Sequence, residues 1–512
     1  MRALHSPVEA AKWLRERVTG TLCADSRQLA AGDGFIAWPG AAVDARQFVT
    51  QALAQGALAC LVEREGLDAF GLNDARVAHY AGLKAHTGLI AAEFFGQPSQ
   101  QLAVAAVTGT NGKTSSAWWL AQALSAVSEG TAMPCGMIGT LGVGRPPAAG
   151  AAPTDLALAA IQSTGLTTPD PVLLQKTLRR FVEQGLRACA IEASSIGIEE
   201  QRLAGTNIRV AIFTNVTQDH LDYHGTMEAY WQAKRQLFAW PGLQAAVINL
   251  DDPLGAELAQ TLGSSALDVW TVSLRQNARL QARDIRYESE GVCFEVVEGD
   301  AVALLQTKLM GAYNVSNLLG VMAAMRSLGI PLLVAVRACA RLHPVPGRME
   351  CLGEPGAPLV VVDYAHTPDA LAQALTALRP LAERRGGKLW CVFGCGGDRD
   401  ASKRPLMGAI AAQKADQVAI TSDNPRSEKP EAILAQILLG VTQRESVHVQ
   451  PDRAQAIADA VAAAAPSDVI LLAGKGHEET QEIAGVKLPF SDRVQALQAL
   501  QRRPSTAQEN HK

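Results

Sequence analysis

The sequence predicts an α/β protein of three domains, the middle one built on a mostly parallel sheet around a phosphate loop. Three observations carry this. The chain has 512 residues, more than the ~250–300 that one core ordinarily serves. Short apolar runs of strand character alternate with helix-like segments, the order that parallel sheets require. The stretch Val107-Thr108-Gly109-Thr110-Asn111-Gly112-Lys113-Thr114 stands between such a strand and such a helix, where backbone N–H groups gather around an anion.

The first domain, a smaller α/β unit, is assigned to residues 1–98. Phe35 to Trp38 and Ala57 to Val62 are strand-like apolar runs, and Gly96-Gln97-Pro98-Ser99 has the composition of a linker. Met1 to Ala10 contains Arg2, His5 and Glu9 and no apolar core, so it does not read as a signal peptide.

The second domain is assigned to residues 99–342. Leu102 to Val107 reads as its first buried strand and Ser115 to Val127 as the following helix. Gly109 and Gly112 let the main chain approach a ligand closely. Lys113 supplies a point charge for outer phosphates, and the Thr114 hydroxyl suits Mg²⁺. The usual pattern G-x-x-x-x-G-K-[ST] needs glycine at 107 and finds Val107, so this is a shortened variant. ATP is the ligand it fits best, which makes this a P-loop ATPase domain.

Further strands are expected at Ala188 to Ile191, Val210 to Phe213 and Ala246 to Asn249. Gly142 to Ala160, rich in Ala, Pro and Gly, is expected to be a mobile surface loop. Glu192 ends the first of these strand runs, where a carboxylate can hold Mg²⁺ through oxygen. Thr214 to Gly225 carries Asp219, His220, Asp222 and His224, too dense a set for a plain loop. Lys234 lies in a helical stretch, Met227 to Phe238, and taken alone reads as an exposed lysine.

The third domain is assigned to residues 343–512, after a hinge near His343-Pro344-Val345-Pro346-Gly347. Its strand runs Leu359 to Val362, Trp390 to Phe393, Gln417 to Ile420 and Val469 to Leu472 each lead into polar residues. Ligands of open α/β sheets bind beyond the carboxyl ends of strands, so these loops should share one crevice of a Rossmann-like domain. Gly394 and Gly396 do not extend to a dinucleotide fingerprint, because its third glycine position holds Arg399.

A formal net charge of −4 and no dense Lys/Arg run argue against nucleic acid as a partner. No run of ~18 apolar residues exists, which argues against a membrane span. The 9 cysteines are scattered singly, as buried thiols of a reducing compartment are, so a cytoplasmic location is expected. Cys391 and Cys395 lack the partners of a zinc site. Small molecules are the expected partners, and a monomer the expected state.

Five segments in order, Thr108 to Thr114, Asp219 to His224, Gly311 to Asn317, Asp363 to Pro368 and Asp423 to Arg426, resemble the Mur ligase family. The resemblance runs from Asp25-Ser26-Arg27 to Ser491-Asp492-Arg493. It implies an ATP-dependent amide ligase of cytoplasmic peptidoglycan precursor synthesis. Its implied substrates are UDP-N-acetylmuramoyl-L-alanyl-D-glutamate and meso-2,6-diaminopimelate, joined through an acyl phosphate. It implies that Gly109, Thr110, Asn111, Gly112, Lys113, Thr114 and Ser115 grip ATP, with Asn317 at adenine and Arg348 and Asp363 reaching across. Thr114, Glu192 and His220 would organise Mg²⁺ together with Lys234, carbamylated by CO₂. Lys113, Glu192, His220 and Lys234 would carry the catalysis.

By the same resemblance, Ser26, the Gly40 to Val43 loop, Thr167, Thr168, Ser194 and Arg202 hold the UDP-linked substrate. Arg399, Asp423, Asn424, Pro425, Arg426, Gly474 and Glu478 hold diaminopimelate. Arg426 offers a planar fork to the second carboxylate, which lysine lacks. The chain departs from the family at Ile196, where His is usual, at Glu200, where Gln is frequent, and at Ala45 in place of Gly. An L-lysine-adding ligase and a folylpolyglutamate synthetase-like ligase are the alternatives. The second would lack the Asp25-Ser26-Arg27 domain and the Asp-Asn-Pro-Arg loop. A non-catalytic nucleotide switch would leave the Asp219 to His224 cluster without a purpose.

Overall fold

The computed structural model describes residues 1–40, 43–127, 132–151, 160–288, 291–442 and 445–503. Three sheets follow one another along the chain, with a separate two-stranded hairpin near its end. The first sheet is five-stranded and parallel, in the order Arg2–Leu4, Val77–Tyr80, Ala59–Glu63, Gly34–Ala37, Leu22–Cys23. Helix Pro7–Arg15 starts where the Ser6 hydroxyl accepts from the Glu9 N–H, and it buries Trp13 and Leu14 against Ile36 and Leu61.

The Gly96 to Ser99 segment is not a slack tether. Pro98 and Ser99 are buried in a 3₁₀ turn, and the Ser99 hydroxyl accepts from the Asn207 N–H at 2.9 Å.

The second sheet has 11 strands. At its centre Ala103–Thr108 lies between Ala188–Glu192 and Val210–Phe213, all parallel. Side chains of the central strand alternate between faces. Ala105 and Val107 meet Trp118 and Leu120 of helix Lys113–Ser125 on one side, while Val104 and Ala106 meet Leu174 and Phe181 of helix Pro171–Glu183 on the other. Cover on both faces is why these strands read as continuous apolar runs.

Both edges of this sheet were illegible in the sequence. One is an antiparallel meander, Leu280–Glu288, Gly291–Glu298 and Ala301–Thr307. The other corrects the expected mobile loop: Gly142–Gly144 is a buried strand paired with Cys135–Gly139 and Ile161–Gln162, and Ala149 is buried too. Residues 152–159 of that segment lie outside the described residues.

The third sheet orders Glu350–Leu352, Leu359–Asp363, Val469–Ala473, Leu389–Phe393, Gln417–Ile420 and Val447–Val449. Its four middle strands are parallel, so their carboxyl ends lie on one side. No helix among the described residues is long and apolar enough to cross a membrane.

Candidate active site

Three neighbouring strand ends build the phosphate loop. Gly109 follows the central strand, Glu192 ends one neighbour and Thr214 follows the other. Backbone bonds hold the loop in shape: Thr110 N–H to Asn215 O at 2.8 Å and Asn111 N–H to Asn215 Oδ1 at 2.9 Å. The Thr214 hydroxyl donates to Asn111 O at 2.6 Å. Gly109 and Gly112 sit at φ 147° and 86°. A Cβ on Gly109 would strike Thr214 Oγ1, and one on Gly112 would strike Asn317 Oδ1, so only glycine fits either place. Gly112 caps helix Lys113–Ser125 without any side-chain bond, which leaves first-turn N–H groups for an anion.

The loop borders a cavity of about 140 Å³. Glu192 is fully buried at its edge. It accepts from Thr114 Oγ1 at 3.0 Å, from Thr140 N–H at 2.8 Å and from Thr140 Oγ1 at 3.2 Å. Arg348 reaches Thr114 Oγ1 at 3.2 Å and lies 4.3 Å over the Tyr364 ring. Thr167 is bound to Thr140 (3.1 Å), Thr168 donates to Glu192 O (2.7 Å) and lies 3.0 Å from Ser194 Oγ, and Arg202 donates to Thr168 O (3.0 Å). These four residues thus form one chain of contacts leading from Glu192.

Lys234 is 1% exposed, against the sequence expectation for a helix lysine. Its ammonium donates to Gly109 O at 2.8 Å and lies 4.1 Å from the Tyr230 ring. Lys113 donates to the same carbonyl at 2.9 Å and to Thr110 O at 2.8 Å. Burial lowers the pKa of Lys113. Burial, reinforced by the charge of Lys113, takes Lys234 well below the ordinary lysine value. Burial also pushes His220 down to about 4, so it is neutral near pH 7. Burial works the other way on Asp219, but His366, whose Nε2 lies 3.8 Å away, and the charge of Lys403 outweigh it and hold that carboxyl low.

The third sheet closes the cleft from the opposite side. Asn111 Nδ2 donates to Asp369 (3.2 Å), and Gln218 Nε2 donates to Asp400 (3.0 Å) and Ser402 (3.1 Å). The four loops do converge. Asn424 Nδ2 donates to Glu478 Oε2 at 2.8 Å, and fully buried Lys475 donates to both Asn424 Oδ1 (3.0 Å) and Glu478 Oε2 (2.9 Å). Burial raises the Asp423 pKa, and its Oδ2 is buried without a hydrogen-bond partner. Asp363 accepts from Met349 N–H at 2.8 Å. Arg426 donates from Nη1 to Gly397 O at 2.7 Å, whereas Arg399 donates only to the adjacent Asp398 O at 3.0 Å.

Ser26 stands apart from this cavity, in a 3₁₀ turn of the first sheet's side capped by Asp25. Gly40 and Val43 flank residues 41–42, which lie outside the described residues. The departure at Glu200 acquires partners: it accepts from Tyr223 OH at 2.7 Å and pairs with Lys84 at 2.6 Å. Ile196 is half-buried on the short helix Ser195–Glu199, and nothing there explains the replacement of His.

Sequence reasoning missed Thr140, Tyr230 and Lys475. Thr140 follows strand Cys135–Gly139, and its place at a strand end beside the phosphate-loop strand's neighbour was the available signal. Lys475, between two glycines at another strand end, offered a similar one.

A phosphate loop with a buried carboxylate beside it, facing strand-end loops of a second parallel sheet, defines an α/β protein of the nucleotide-dependent phosphate-loop class. Residues 107–325 match the Mur ligase middle domain, and residues 347–476 match the domain described as Mur ligase, glutamate ligase domain. The chain is 59% identical over 514 residues to the UDP-N-acetylmuramoyl-L-alanyl-D-glutamate–2,6-diaminopimelate ligase of Acidovorax sp. (strain JS42), covering 99% of this chain and 100% of that one. It is 48% identical to the ligase of the same name from Janthinobacterium sp. (strain Marseille), with 94% of each covered. A solved structure of a ligase with that name superposes with a TM-score of 0.63 at 36% identity, covering 94% of both chains. The chain belongs to the Mur ligase family.

Proposed function

We propose that this chain is an ATP-dependent, ADP-forming ligase that joins meso-2,6-diaminopimelate to the D-glutamate of UDP-N-acetylmuramoyl-L-alanyl-D-glutamate. The product would be the UDP-linked tripeptide of cytoplasmic peptidoglycan synthesis, and so would serve cell-wall growth, cell shape and division. Relatives named for this reaction, matched over 100% and 94% of their length, support the reading. The single structural observation that carries it is the facing arrangement. The phosphate loop with Glu192 lines one side of the cleft and Arg348, Tyr364 and His366 line the other, where Tyr364 OH donates at 3.5 Å to Glu478, the partner of Asn424 and Lys475.

A carboxylate resists amide formation because its leaving group is poor. Transfer of the terminal ATP phosphoryl group makes an acyl phosphate and ADP. The incoming neutral amine then attacks the acyl carbon, phosphate departs with the bonding pair, and the amine sheds a proton. The first step brings anions together, so charge neutralisation should dominate. Lys113 now donates its hydrogens to two loop carbonyls, and a bound triphosphate would compete for them and favour its charged form.

Thr114 and Glu192 present hard oxygens, the donor type that Mg²⁺ takes, with phosphate and water left to complete the shell; His220, kept neutral, is suited to the same task. Bound there, the ion would supply charge neutralisation at the phosphoryl group. Lys234, with its pKa lowered, offers a free amine that can add to CO₂, giving a carbamate and a proton. Asn317 and Arg348 would attend the nucleotide, with Asp363 behind them. Ser26, Thr167, Thr168, Ser194 and Arg202 would attend the UDP-linked substrate. Asp423, Asn424, Pro425, Arg426, Gly474, Glu478 and Arg399 would attend the amino acid.

Division at 98/99 and 342/343, a monomeric state and a cytoplasmic location belong to this proposal. The test is orthophosphate release from purified protein with ATP, Mg²⁺, the UDP-dipeptide and either diaminopimelate or L-lysine. Release that needs all components and favours diaminopimelate is expected. A preference for lysine would put the L-lysine-adding ligase in its place, and no release would refute both.

A further inference from the structure

The strand pair Thr480–Ile483 and Val486–Pro489 joins none of the three sheets. It is zipped instead onto residues 423–426 by four hydrogen bonds. Gln481 Nε2 donates to Asp423 O at 2.7 Å, and Glu482 N–H donates to Asn424 Oδ1 at 3.0 Å. Arg426 N–H donates to Glu482 O at 3.0 Å, and Ala484 N–H donates to Arg426 O at 2.7 Å. Two of these bonds grip both sides of Arg426 itself. They matter because Arg426 sits at φ 51°, a left-handed conformation that a non-glycine residue keeps only when its surroundings over-determine it.

The side chain is steered from the same two directions. Nη1 is held by Gly397 O, and Nε faces Glu482 Oε2 at 3.9 Å. An arginine fork recognises a carboxylate through fixed, parallel N–H directions, so its orientation decides its selectivity. Gln481 makes the one hairpin bond in which a side chain donates to the loop backbone, and only 8% of it is exposed.

We propose that the hairpin Thr480–Pro489 is the positioning element of the amino-acid loop, and that Gln481 is a specificity-determining positioning residue acting through Asp423 and Arg426. This rests on the diaminopimelate reading. With the hairpin detached, the backbone at Arg426 relaxes to negative φ and the fork turns away from a distal carboxylate. Lysine, which lacks that carboxylate, has nothing to lose.

The experiment compares full-length wild type with Gln481→Met and Gln481→Glu, neither of which can donate to Asp423 O. Steady-state rates are taken with diaminopimelate and with L-lysine, and KM for ATP is measured alongside. Loss of one hydrogen bond predicts a rise in KM for diaminopimelate of about tenfold. The preference over lysine should shrink in proportion, with KM for ATP and kcat unchanged. An unaltered KM for diaminopimelate in both variants overturns the proposal. So does an equal loss with both amino acids, or a fall in kcat with every KM moving together, which would mark a merely structural hairpin. Failure of the underlying reading shows separately: wild type itself would then show no preference for diaminopimelate.

Discussion

The phosphate loop and the proposed amino-acid loop both leave carboxyl ends of parallel strands, yet they are held differently. Residues 109–114 take their shape from their own backbone and from strand ends immediately beside them. Residues 423–426 are held by the hairpin backbone and by side chains from several elements further along the chain. Lys475 and Glu478 lie in front, Gln481 beneath, and behind them stand Arg453 and Asp492. A site that binds the invariant part of every substrate can be local. On the proposed reading, the loop that discriminates between amino acids draws on several elements, each of which can be altered separately.

The largest expected effect tests the distant support. Arg453 and Asp492 form a fully buried pair with bonds of 2.7 and 2.6 Å. Arg453 also donates to Ser422 O (3.3 Å) and Ala473 O (3.0 Å), the residues just before Asp423 and Gly474. Arg453→Met strands a buried carboxylate and should cost about 3–5 kcal/mol in denaturant unfolding. The double change Arg453→Met with Asp492→Leu should recover most of it. A single-variant cost below about 1 kcal/mol, the range of exposed pairs, would place the loop's support elsewhere.

The local site should break differently. Lys113→Ala removes the charge opposite the transferring phosphoryl group, at about 2.7–4 kcal/mol of barrier, or at least ~10²-fold in kcat. Its unfolding midpoint should hold or rise, because burial already disfavours the ammonium in the folded state. Activity near wild type would remove the phosphate-loop assignment. A large fall in stability would instead show the loop to be structural.

This contrast also explains what was legible. The phosphate loop announces itself within eight residues, because glycine placement and a lysine–threonine pair are local requirements of gripping phosphate. Glu192 could be placed at a strand end for the same reason. Lys234 could not: helix periodicity gives no hint that its side chain crosses to Gly109 O, 125 positions away, and only family resemblance singled it out. The edge strands were hidden because Gly142–Gly144 is too short to show a pattern, and the meander has no common one: Ala301–Thr307 alternates exposed and buried residues, whereas Gly291–Glu298 is mostly buried and broken by Glu295. Gln481 lies 58 positions from its partner, a distance at which spacing carries no information.

A smaller effect separates the loops by pH. His477, beside Glu478 and 5.4 Å from the Tyr364 ring, is pushed down to about 4, first by burial and then by the charge of Arg348. The unfolded chain takes up this proton near the ordinary imidazole value of 6.5, so it binds more protons than the folded state between 6.5 and about 4. Stability therefore falls as pH drops through that window and loses nothing further below it. His477→Phe should flatten that part of a melting-temperature profile. An unchanged slope would assign the acid sensitivity to the other buried groups around the cleft.

The smallest effect sharpens the comparison by improving the distant support. The hairpin turns through Ala484 at φ 51° and Gly485 at φ 77°, and tight hairpin turns with two positive φ values favour Asn-Gly. Alanine pays a steric cost there, between Cβ and the following carbonyl, that asparagine offsets with its own local hydrogen bonds. Ala484 is exposed, so Ala484→Asn meets no packing obstacle. A gain of up to about 1 kcal/mol is expected, read as a higher melting temperature. Because Ala484 N–H is one of the two bonds on Arg426, a firmer turn should also leave KM for the amino acid equal or lower. A more stable protein that binds the amino acid more weakly would mean the loop needs its hairpin loose, and the two strand-end loops would differ in mobility as well as in what holds them.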